Sequence, residues 1–258
     1  MREVIIEKSK TIQIPVIIGT PEDLKKKGLS PEEVYAPILI KDMVSGIGQF
    51  MENYPKAIFI NTEVLFDLQN AAFFSLIVYS MRFALENSTN LYGYIINHLY
   101  ELCDLDHETL EELFEEIYKV QRRILINKTK AERSKISLLE AIGDYYVSID
   151  SFTESDAVAY GCITGSYYSF RKGLLSTEDY YEIRDMFVPF GISITQTKIA
   201  KDKLFDDFCE FFSKYEKNGD VLYLKKIGKL QDEFTADEDD SFNADLFDAI
   251  CFDENDNE

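Results

Sequence analysis

Few side chains in this sequence have the types and spacing that catalysis or metal binding requires. The 258 residues include only two histidines, His98 and His107, and neither belongs to an HExxH or other paired metal-binding spacing. His98 falls in an expected helix and His107 at an expected helix start, so packing and capping are the predicted roles. Ser45–Phe50 contains an isolated Gly-x-Gly, and no nucleophile elbow, Walker A loop or dinucleotide-binding glycine loop is present. Without such motifs, the sequence patterns considered so far indicate only a helical protein.

The four cysteines are widely separated and form no CxxC pair, which excludes a zinc knuckle or a thioredoxin-type motif. Free cysteines are commonly buried, and reduced thiols are typical of cytosolic proteins. We therefore predict buried, reduced thiols at Cys103, Cys162, Cys209 and Cys251, and a cytoplasmic location.

The composition predicts a globular, acidic protein. Hydrophobic residues make up 46% of the chain, enough for a sizeable core, and the formal net charge is −20. Such a charge repels phosphate backbones and anionic lipid surfaces, so nucleic acid and membranes are not expected partners. The beginning of the chain has no long apolar run of the kind found in signal peptides, and no run approaches the roughly 18 apolar residues of a membrane span.

The acidic excess is concentrated at the end of the chain. Gln231–Glu258 contains twelve Asp or Glu and no Lys or Arg. Three interpretations stay open: a solubilising tail, a docking segment for a basic partner, or a nucleic-acid mimic. Apolar residues at near-helical spacing in 241–252 predict a short docked helix there, with Ser241 and Asn243 as possible caps and disorder after about Asp253.

The sequence predicts that the chain divides into three parts. Residues 1–60 read as an α/β remnant, with strands at 2–6 and 12–18, a third strand at the start of 55–65 that leads into a helix capped by Asn61 or Thr62, and loops between them. Residues 61–252 are predicted to be a helical domain, and residues 253–258 an acidic tail. The predicted fold class is therefore mainly α with a small α/β part.

Hydrophobic periodicity predicts most helices of the larger domain. The clearest amphipathic pattern lies in 106–129, where Leu110, Leu113, Phe114, Ile117 and Val120 share one face. Other predicted helices cover 62–87, 88–102, 135–148, 153–173, a segment beginning at Ser176, and 202–220 with a cap near Gly219, followed by a hairpin or strand at 221–230.

Several stretches together resemble 3-dehydroquinate synthase and its sugar-phosphate cyclase relatives. "TESDAVAYGC" (Thr153–Cys162), "GLLSTEDYYEIRDMF" (Gly173–Phe187) and "FGIS" (Phe190–Ser193) follow in the same order as that family's "LHGEAVAIGM", "GLLS-x-ED" and "G-L-P". "IQIPVIIGT", "GQFMENYPKAIFINTEVLFDL" and "FFSKYEKNGDVLYLKKIGK" are similar to further family segments. The resemblance covers roughly residues 11–251 and implies the family's fold.

The same resemblance implies a zinc and NAD enzyme, but this sequence departs from the family pattern at the site. Tyr79 occupies the position of the family's metal-binding Glu, and Arg82 that of a substrate-binding Lys. Glu154 stands where one metal-binding His is found, and residues 135–144, which correspond to the region of the second His, contain no His. Lys214 is the one lysine retained of a conserved family pair. Tyr79, Arg82, Glu154 and Lys214 are therefore predicted to be the remnant of a substrate pocket.

These departures lead us to expect no catalytic residues and no bound metal or cofactor. A catalytic zinc needs about three protein ligands, and the residues at these positions supply one carboxylate at best. The chain is also expected to lack the family's N-terminal nucleotide-binding segment, so both zinc and NAD are predicted to be lost. Ala157, Ala159, Gly161 and Gly165 are expected to be retained for close helix packing.

The resulting functional hypothesis is a catalytically inactive relative of the synthase that acts through protein–protein contact. Because family members usually dimerise, we expect a homodimer or a complex with an intact cyclase-like subunit. Alternatives are the helical half of a split cyclase, with Arg82, Lys214 and Arg122 or Arg123 holding an anionic substrate, an acidic decoy that occupies a basic site, and a small-molecule sensor.

Overall fold

The computed structural model describes residues 5–8, 15–19, 34–37, 41, 43–44, 57–58, 70–216, 221–231 and 244–251. The chain forms two compact units, the first comprising Met1–Ser80 with Tyr100–Ser134 and the second Met81–Leu99 with Lys135–Glu258. The α-helices in the described ranges are α1 Asn70–Asn87, α2 Thr89–Asn97, α3 Leu99–Cys103, α4 His107–Asn127, α5 Lys130–Arg133, α6 Leu138–Val147, α7 Glu154–Arg171, α8 Thr177–Asp185 and α9 Lys201–Glu216. Helix α1 is divided between the units after Ser80.

The first unit contains a four-stranded sheet. Its strands, in spatial order, are β1 Ile5–Lys8, β2 Pro15–Gly19, β3 Val34–Pro37 and β4 Ala57–Ile58. The β1–β2 pair is antiparallel, and the β2–β3 and β3–β4 pairs are parallel. The prediction of loops throughout residues 19–50 was wrong at β3. Only four residues long and ending in a proline, this strand has little local signal, and its pairing on both sides supplies the stabilisation.

Helix α4 provides the main apolar face of the described part of the first unit. All five residues of its predicted stripe are buried. Asp106 caps the helix by accepting a hydrogen bond from the Thr109 backbone N–H at 2.9 Å. The amide Nε2 of buried Gln121 donates to the carbonyls of Met43, at 3.2 Å, and Val44. These bonds fix the preceding chain against the helix.

The second unit is organised around the antiparallel contact of α6 with α7, where the helix backbones meet at glycines. A Cβ placed on Gly161 would lie 2.6 Å from the Gly143 Cα and from the Leu139 carbonyl oxygen. One at Gly165 would lie 3.1 Å from the Leu139 Cα. The predicted role of the small residues in close packing is therefore confirmed at both glycines, and Ala157 and Ala159 are also buried.

A short three-stranded arrangement borders this helix pair. Strand β5 (Ile136–Ser137) pairs in parallel with β6 (Val221–Lys226), which forms an antiparallel hairpin with β7 (Lys229–Gln231). A hairpin or a strand was predicted at 221–230, and the hairpin is observed, whereas β5 was predicted as the first turn of a helix. Gly228 closes the hairpin with a φ of +81° and donates its N–H to the Leu85 carbonyl at 2.7 Å. A Cβ at Gly228 would lie 2.2 Å from the Thr89 backbone nitrogen, so only glycine fits.

Within the described ranges, the remaining predicted elements are present with small changes. Hydroxyl side chains begin α7 and α8, with Thr153 and Ser176 as N-caps. The predicted C-terminal helix is a 3₁₀ turn, Ala244–Ala249, with Leu246, Phe247 and Ile250 buried. The predicted caps Asn61, Thr62, Gly219, Ser241 and Asn243 and the tail after Asp253 lie outside the described residues. None of the described helices is long and apolar enough to cross a membrane.

All four cysteines are free thiols, but they are not equally buried. Cys162 is buried, Cys103 and Cys251 are half-buried, and Cys209 is exposed. The prediction of burial was therefore wrong for Cys209, because it lies on the solvent-facing side of the amphipathic helix α9.

Candidate functional site

The predicted substrate-binding position is part of a buried ionic cluster in the second unit. Arg82 is 2% exposed and is the largest fully buried side chain in the described part of the chain. Its Nη2 lies 3.5 Å from Glu140 Oε1, and its Nε lies 3.9 Å from Glu86 Oε1. We call Arg82, Glu86, Ser137 and Glu140 the Arg82 cluster.

Two helices position the cluster. Arg82 and Glu86 are one turn apart on α1, so they lie on the same helical face. Ser137 is the N-cap of α6 and accepts a hydrogen bond from the Glu140 N–H at 2.9 Å. The Ser137 hydroxyl also donates to Glu86 Oε1. Because one serine both begins α6 and binds Glu86, the helix start and the carboxylate positions are coupled.

The cluster pairs its buried cation with carboxylates. Two carboxylates face one guanidinium where water is largely excluded. Buried charges are tolerated when they are paired in this way. The nearby Cys162 is fully buried, and burial raises the pKa of its thiol, with Arg82 acting in the opposite direction. A neutral, inaccessible thiol is a poor nucleophile. The chemistry of the cluster is therefore ion pairing within the core.

The other three predicted pocket residues are in different surroundings. Tyr79 is buried and belongs to the first unit. Glu154 is the exposed first residue of α7, next to the cap Thr153. Lys214 lies in α9, and its side chain is outside the described part of the structure. The ion-pair partners of Arg82 are Glu86 and Glu140, neither of which was predicted.

The predicted positions do not fit the zinc of the cyclase family. Residues 135–144 place Leu138, Leu139 and Ile142 in the core, and the one carboxylate there that is buried, Glu140, faces Arg82. Within the described ranges, no three His, Cys, Asp or Glu side chains converge to hold a metal ion. His98 packs on Tyr94, with ring centroids 4.3 Å apart and its Nδ1 2.8 Å from the Tyr94 carbonyl, and His107 is exposed at the start of α4.

The second unit also contains a cavity of about 390 Å³. It is lined by Thr89, Tyr92, Gly93, Ile96, Asp179, Glu182, Lys226 and Ile227. Tyr92 Oη donates to Glu182 Oε1 at 2.9 Å, and burial together with this carboxylate raises the pKa of the Tyr92 phenol. Its lining combines apolar side chains with charges of both signs, and it was not predicted from the sequence.

Part of the Arg82 cluster has a local signal in the sequence. Arg82 and Glu86 have the i, i+4 spacing of a helical ion pair, and Ser137 with Glu140 has the spacing of a helix cap. The spacing does not predict the packing of α6 near α1, which brings the Arg82–Glu86 pair to the Ser137–Glu140 pair. That packing is a tertiary contact across more than fifty residues of sequence.

Comparison with known proteins establishes the fold. No protein-family model matches the chain, and no curated protein matches its sequence. Among solved structures, 2-epi-5-epi-valiolone synthase from Streptomyces hygroscopicus subsp. jinggangensis 5008, with NAD+ and Zn2+ bound, matches 91% of this chain and 71% of its own, with a TM-score of 0.63 and 11% identity.

Two structures of 2-deoxy-scyllo-inosose synthase match as well. One, in complex with carbaglucose-6-phosphate, NAD+ and Co2+, has a TM-score of 0.54 and 11% identity over 83% of this chain and 72% of its own. The other has a TM-score of 0.51 and 13% identity over 85% of this chain and 67% of its own. At such identities the similarity concerns the fold, and the predicted resemblance to dehydroquinate synthase-like sugar-phosphate cyclases is confirmed at that level.

Proposed function

We propose that this chain, which has the dehydroquinate synthase-like sugar-phosphate cyclase fold, is a catalytically inactive member of that fold group that acts through protein–protein contact. The observation that carries the proposal is that Arg82 is buried and ion-paired. A cation that binds an anionic substrate must be reachable from solvent, whereas Arg82 is 2% exposed and faces two carboxylates. A substrate phosphate would have to enter the core and displace both of them.

The metal positions support the same proposal. Tyr79 is a buried phenol, and a tyrosine with a normal pKa near 10 is a poor zinc ligand at neutral pH. Glu154 is exposed, and the segment 135–144 supplies buried apolar side chains and the paired Glu140. We infer that neither zinc nor NAD is a cofactor of this chain.

The role in protein contact follows from what is retained. The α6–α7 contact needs glycine at Gly161 on purely steric grounds, so this part of the fold does not depend on catalysis. A protein that keeps this fold without a reaction centre would act through its surface. The partner is proposed to be a second copy or a cyclase-like subunit.

Metal analysis and ligand titration test the loss of chemistry. The purified protein is expected to contain no stoichiometric zinc and to give no heat signal with NAD+, Zn2+, Co2+ or carbaglucose-6-phosphate in calorimetry. The valiolone synthase serves as the positive control, because it is described with NAD+ and Zn2+ bound. Stoichiometric metal, or NAD binding in the micromolar range, would overturn the proposal.

Affinity purification from the native host, followed by reconstitution, tests the partner. A co-purified protein supports the proposal if the purified pair re-forms with a fixed stoichiometry and if the partner's own activity or stability changes. NAD-dependent cyclase activity in a reconstituted pair with a nucleotide-binding subunit would instead favour a split enzyme. The two carboxylates at Arg82 count against that result.

A further inference from the structure

The end of the chain is held in an aromatic groove of the second unit. We call residues 244–251 the C-terminal segment. The C-terminal groove is the surface formed by Tyr146 of α6, Arg171 of α7, Gln196, and Lys201 and Phe208 of α9. Phe247 is fully buried, with its ring centroid 5.8 Å from that of Phe208 and 6.2 Å from that of Tyr146, both in edge-to-face geometry. Such geometry is favourable for aromatic pairs.

The segment is bound as a short peptide ligand would be bound. Leu246, Phe247 and Ile250 are its apolar anchors, each no more than 4% exposed. The Gln196 N–H donates to the Ile250 carbonyl at 2.7 Å, and Gln196 and Cys251 form an isolated parallel bridge. Side-chain anchors combined with a main-chain pair are the usual elements of peptide recognition.

Charge at the rim of the groove complements the segment. Lys201 Nζ lies 2.6 Å from Asp248 Oδ1. Arg171 Nη1 donates to the Tyr167 hydroxyl at 2.8 Å, and the pKa of Arg171 is raised by this hydrogen bond and further by Asp245 and Asp248. One lysine thus pairs with one carboxylate of the segment at the rim of the groove.

We propose that the C-terminal groove is a peptide-binding site for an acidic Leu-Phe-x-x-Ile segment of a partner protein, and that residues 244–251 occupy it in cis as a competitor. The apolar triad of the partner fills the space of Leu246, Phe247 and Ile250. A carboxylate between its apolar residues meets Lys201, as Asp248 does. The tethered segment thereby sets how readily the partner binds.

The attachment of the segment differs from that of the helix pair nearby. Its 3₁₀ turn is six residues long and is anchored by three apolar side chains, one rim ion pair and one backbone pair. The entropy of ordering a short segment opposes these gains, so we expect the segment to open at a lower free energy than the helix pair. The α6–α7 contact, by contrast, joins two long helices through their backbones.

Cleavage of the folded full chain tests the inference. A protease site is inserted between residues 237 and 238, the protein is purified and then cut, and a fluorescent peptide of residues 241–254 is added under reducing conditions. We expect the cut protein to bind the peptide with an affinity that falls as salt is raised, because the Lys201–Asp248 pair is partly exposed to solvent. The uncut protein should bind at least tenfold more weakly, because its tethered segment has a high effective concentration.

The matched control is the same peptide carrying Phe247→Ala, which should bind at least tenfold more weakly than the wild-type sequence. Equal binding of both peptides would overturn the inference. So would a cut protein that unfolds by circular dichroism, or one that keeps its own fragment and takes up no labelled peptide, because the segment would then be an integral part of the core. A dimer that depends on the segment would assign the groove to a second copy and overturn the assignment to a partner.

This inference rests on the geometry of the groove and not on the loss of catalysis. A protein that binds zinc or NAD but exchanges its segment would refute the proposed function and leave the groove assignment standing. A protein without either ligand that does not exchange its segment would do the reverse.

Discussion

Helix α6 takes part in two neighbouring regions whose residues are constrained in different ways. On one side, Gly143 and Leu139 meet Gly161 of α7 through backbone atoms. On the other, Glu140 faces Arg82 through side chains. A backbone contact excludes every residue but glycine, whereas a side-chain site accepts any set of groups that satisfies its charges. A fold that depends on a backbone contact can therefore keep its geometry while the side chains of a neighbouring site vary.

The largest effect is expected where the backbones meet. Gly161→Leu places a side chain within 2.6 Å of backbone atoms of Gly143 and Leu139, which cannot move aside without separating the helices. We expect the loss of more than about 4 kcal/mol of unfolding free energy, or failure to fold. Urea denaturation followed by circular dichroism measures the change.

Gly93→Ala is the matched control, because Gly93 is also helical but has nothing within 4 Å of an added Cβ. This variant should be neutral or more stable by up to about 1 kcal/mol. If Gly93→Ala loses as much stability as Gly161→Leu, the close backbone contact does not explain the requirement for glycine at position 161, because alanine favours a helix over glycine.

The second effect concerns the ionic side of α6. Arg82→Met leaves Glu86 and Glu140 buried without their cation, which is expected to cost about 3–5 kcal/mol. The triple variant with Glu86→Leu and Glu140→Leu should recover at least half of that loss, since an apolar cluster of similar volume needs no charge compensation. A triple variant that is no more stable than Arg82→Met would show that the cluster contributes more than mutual neutralisation.

The sequence predicts the helical part of the fold well because its signals are local. Apolar spacing in α4 and hydroxyl caps before α7 and α8 specify those helices from a few neighbouring residues. Strands β3 and β5, four and two residues long, were missed because pairing with distant strands stabilises them. The resemblance that predicted the fold also depended on the order of short segments, each weak by itself.

The site was less predictable than the fold. Arg82 was identified from its place in a family pattern, but its burial and its partner Glu140 arise from the packing of α1 and α6. The C-terminal helix was predicted from its apolar spacing, yet nothing in that spacing names Phe208 or Tyr146 as its contacts. Residues that are distant in sequence form both sites, and a single sequence does not show which distant residues meet.

A smaller effect on stability is expected at the N-cap of α7. Thr153 begins the helix by accepting a hydrogen bond from the Asp156 N–H at 3.1 Å. Thr153→Ala should cost about 1 kcal/mol, whereas Thr153→Ser, which keeps the hydroxyl, should cost less than about half of that. Thermal unfolding of the two variants measures the difference. Equal losses would mean that the methyl group of Thr153 and not its cap stabilises this turn.

The smallest effect on stability, and the sharpest test of the comparison, lies one residue further along. Glu154→His restores the residue type that the cyclase pattern has at this position. Because Glu154 is exposed and lies in the first turn of α7, the change should cost no more than about 1 kcal/mol, through the lost interaction of a carboxylate with the helix dipole. It should bind no zinc, since a catalytic site needs about three ligands and Tyr79 and residues 135–144 do not supply the others. Zinc titration by calorimetry, with the wild-type protein as the matched control, measures the outcome. Tight, stoichiometric binding by the variant alone would mean that one substitution separates this chain from a metal site, and that its fold has retained more of the cyclase centre than the burial of Arg82 indicates.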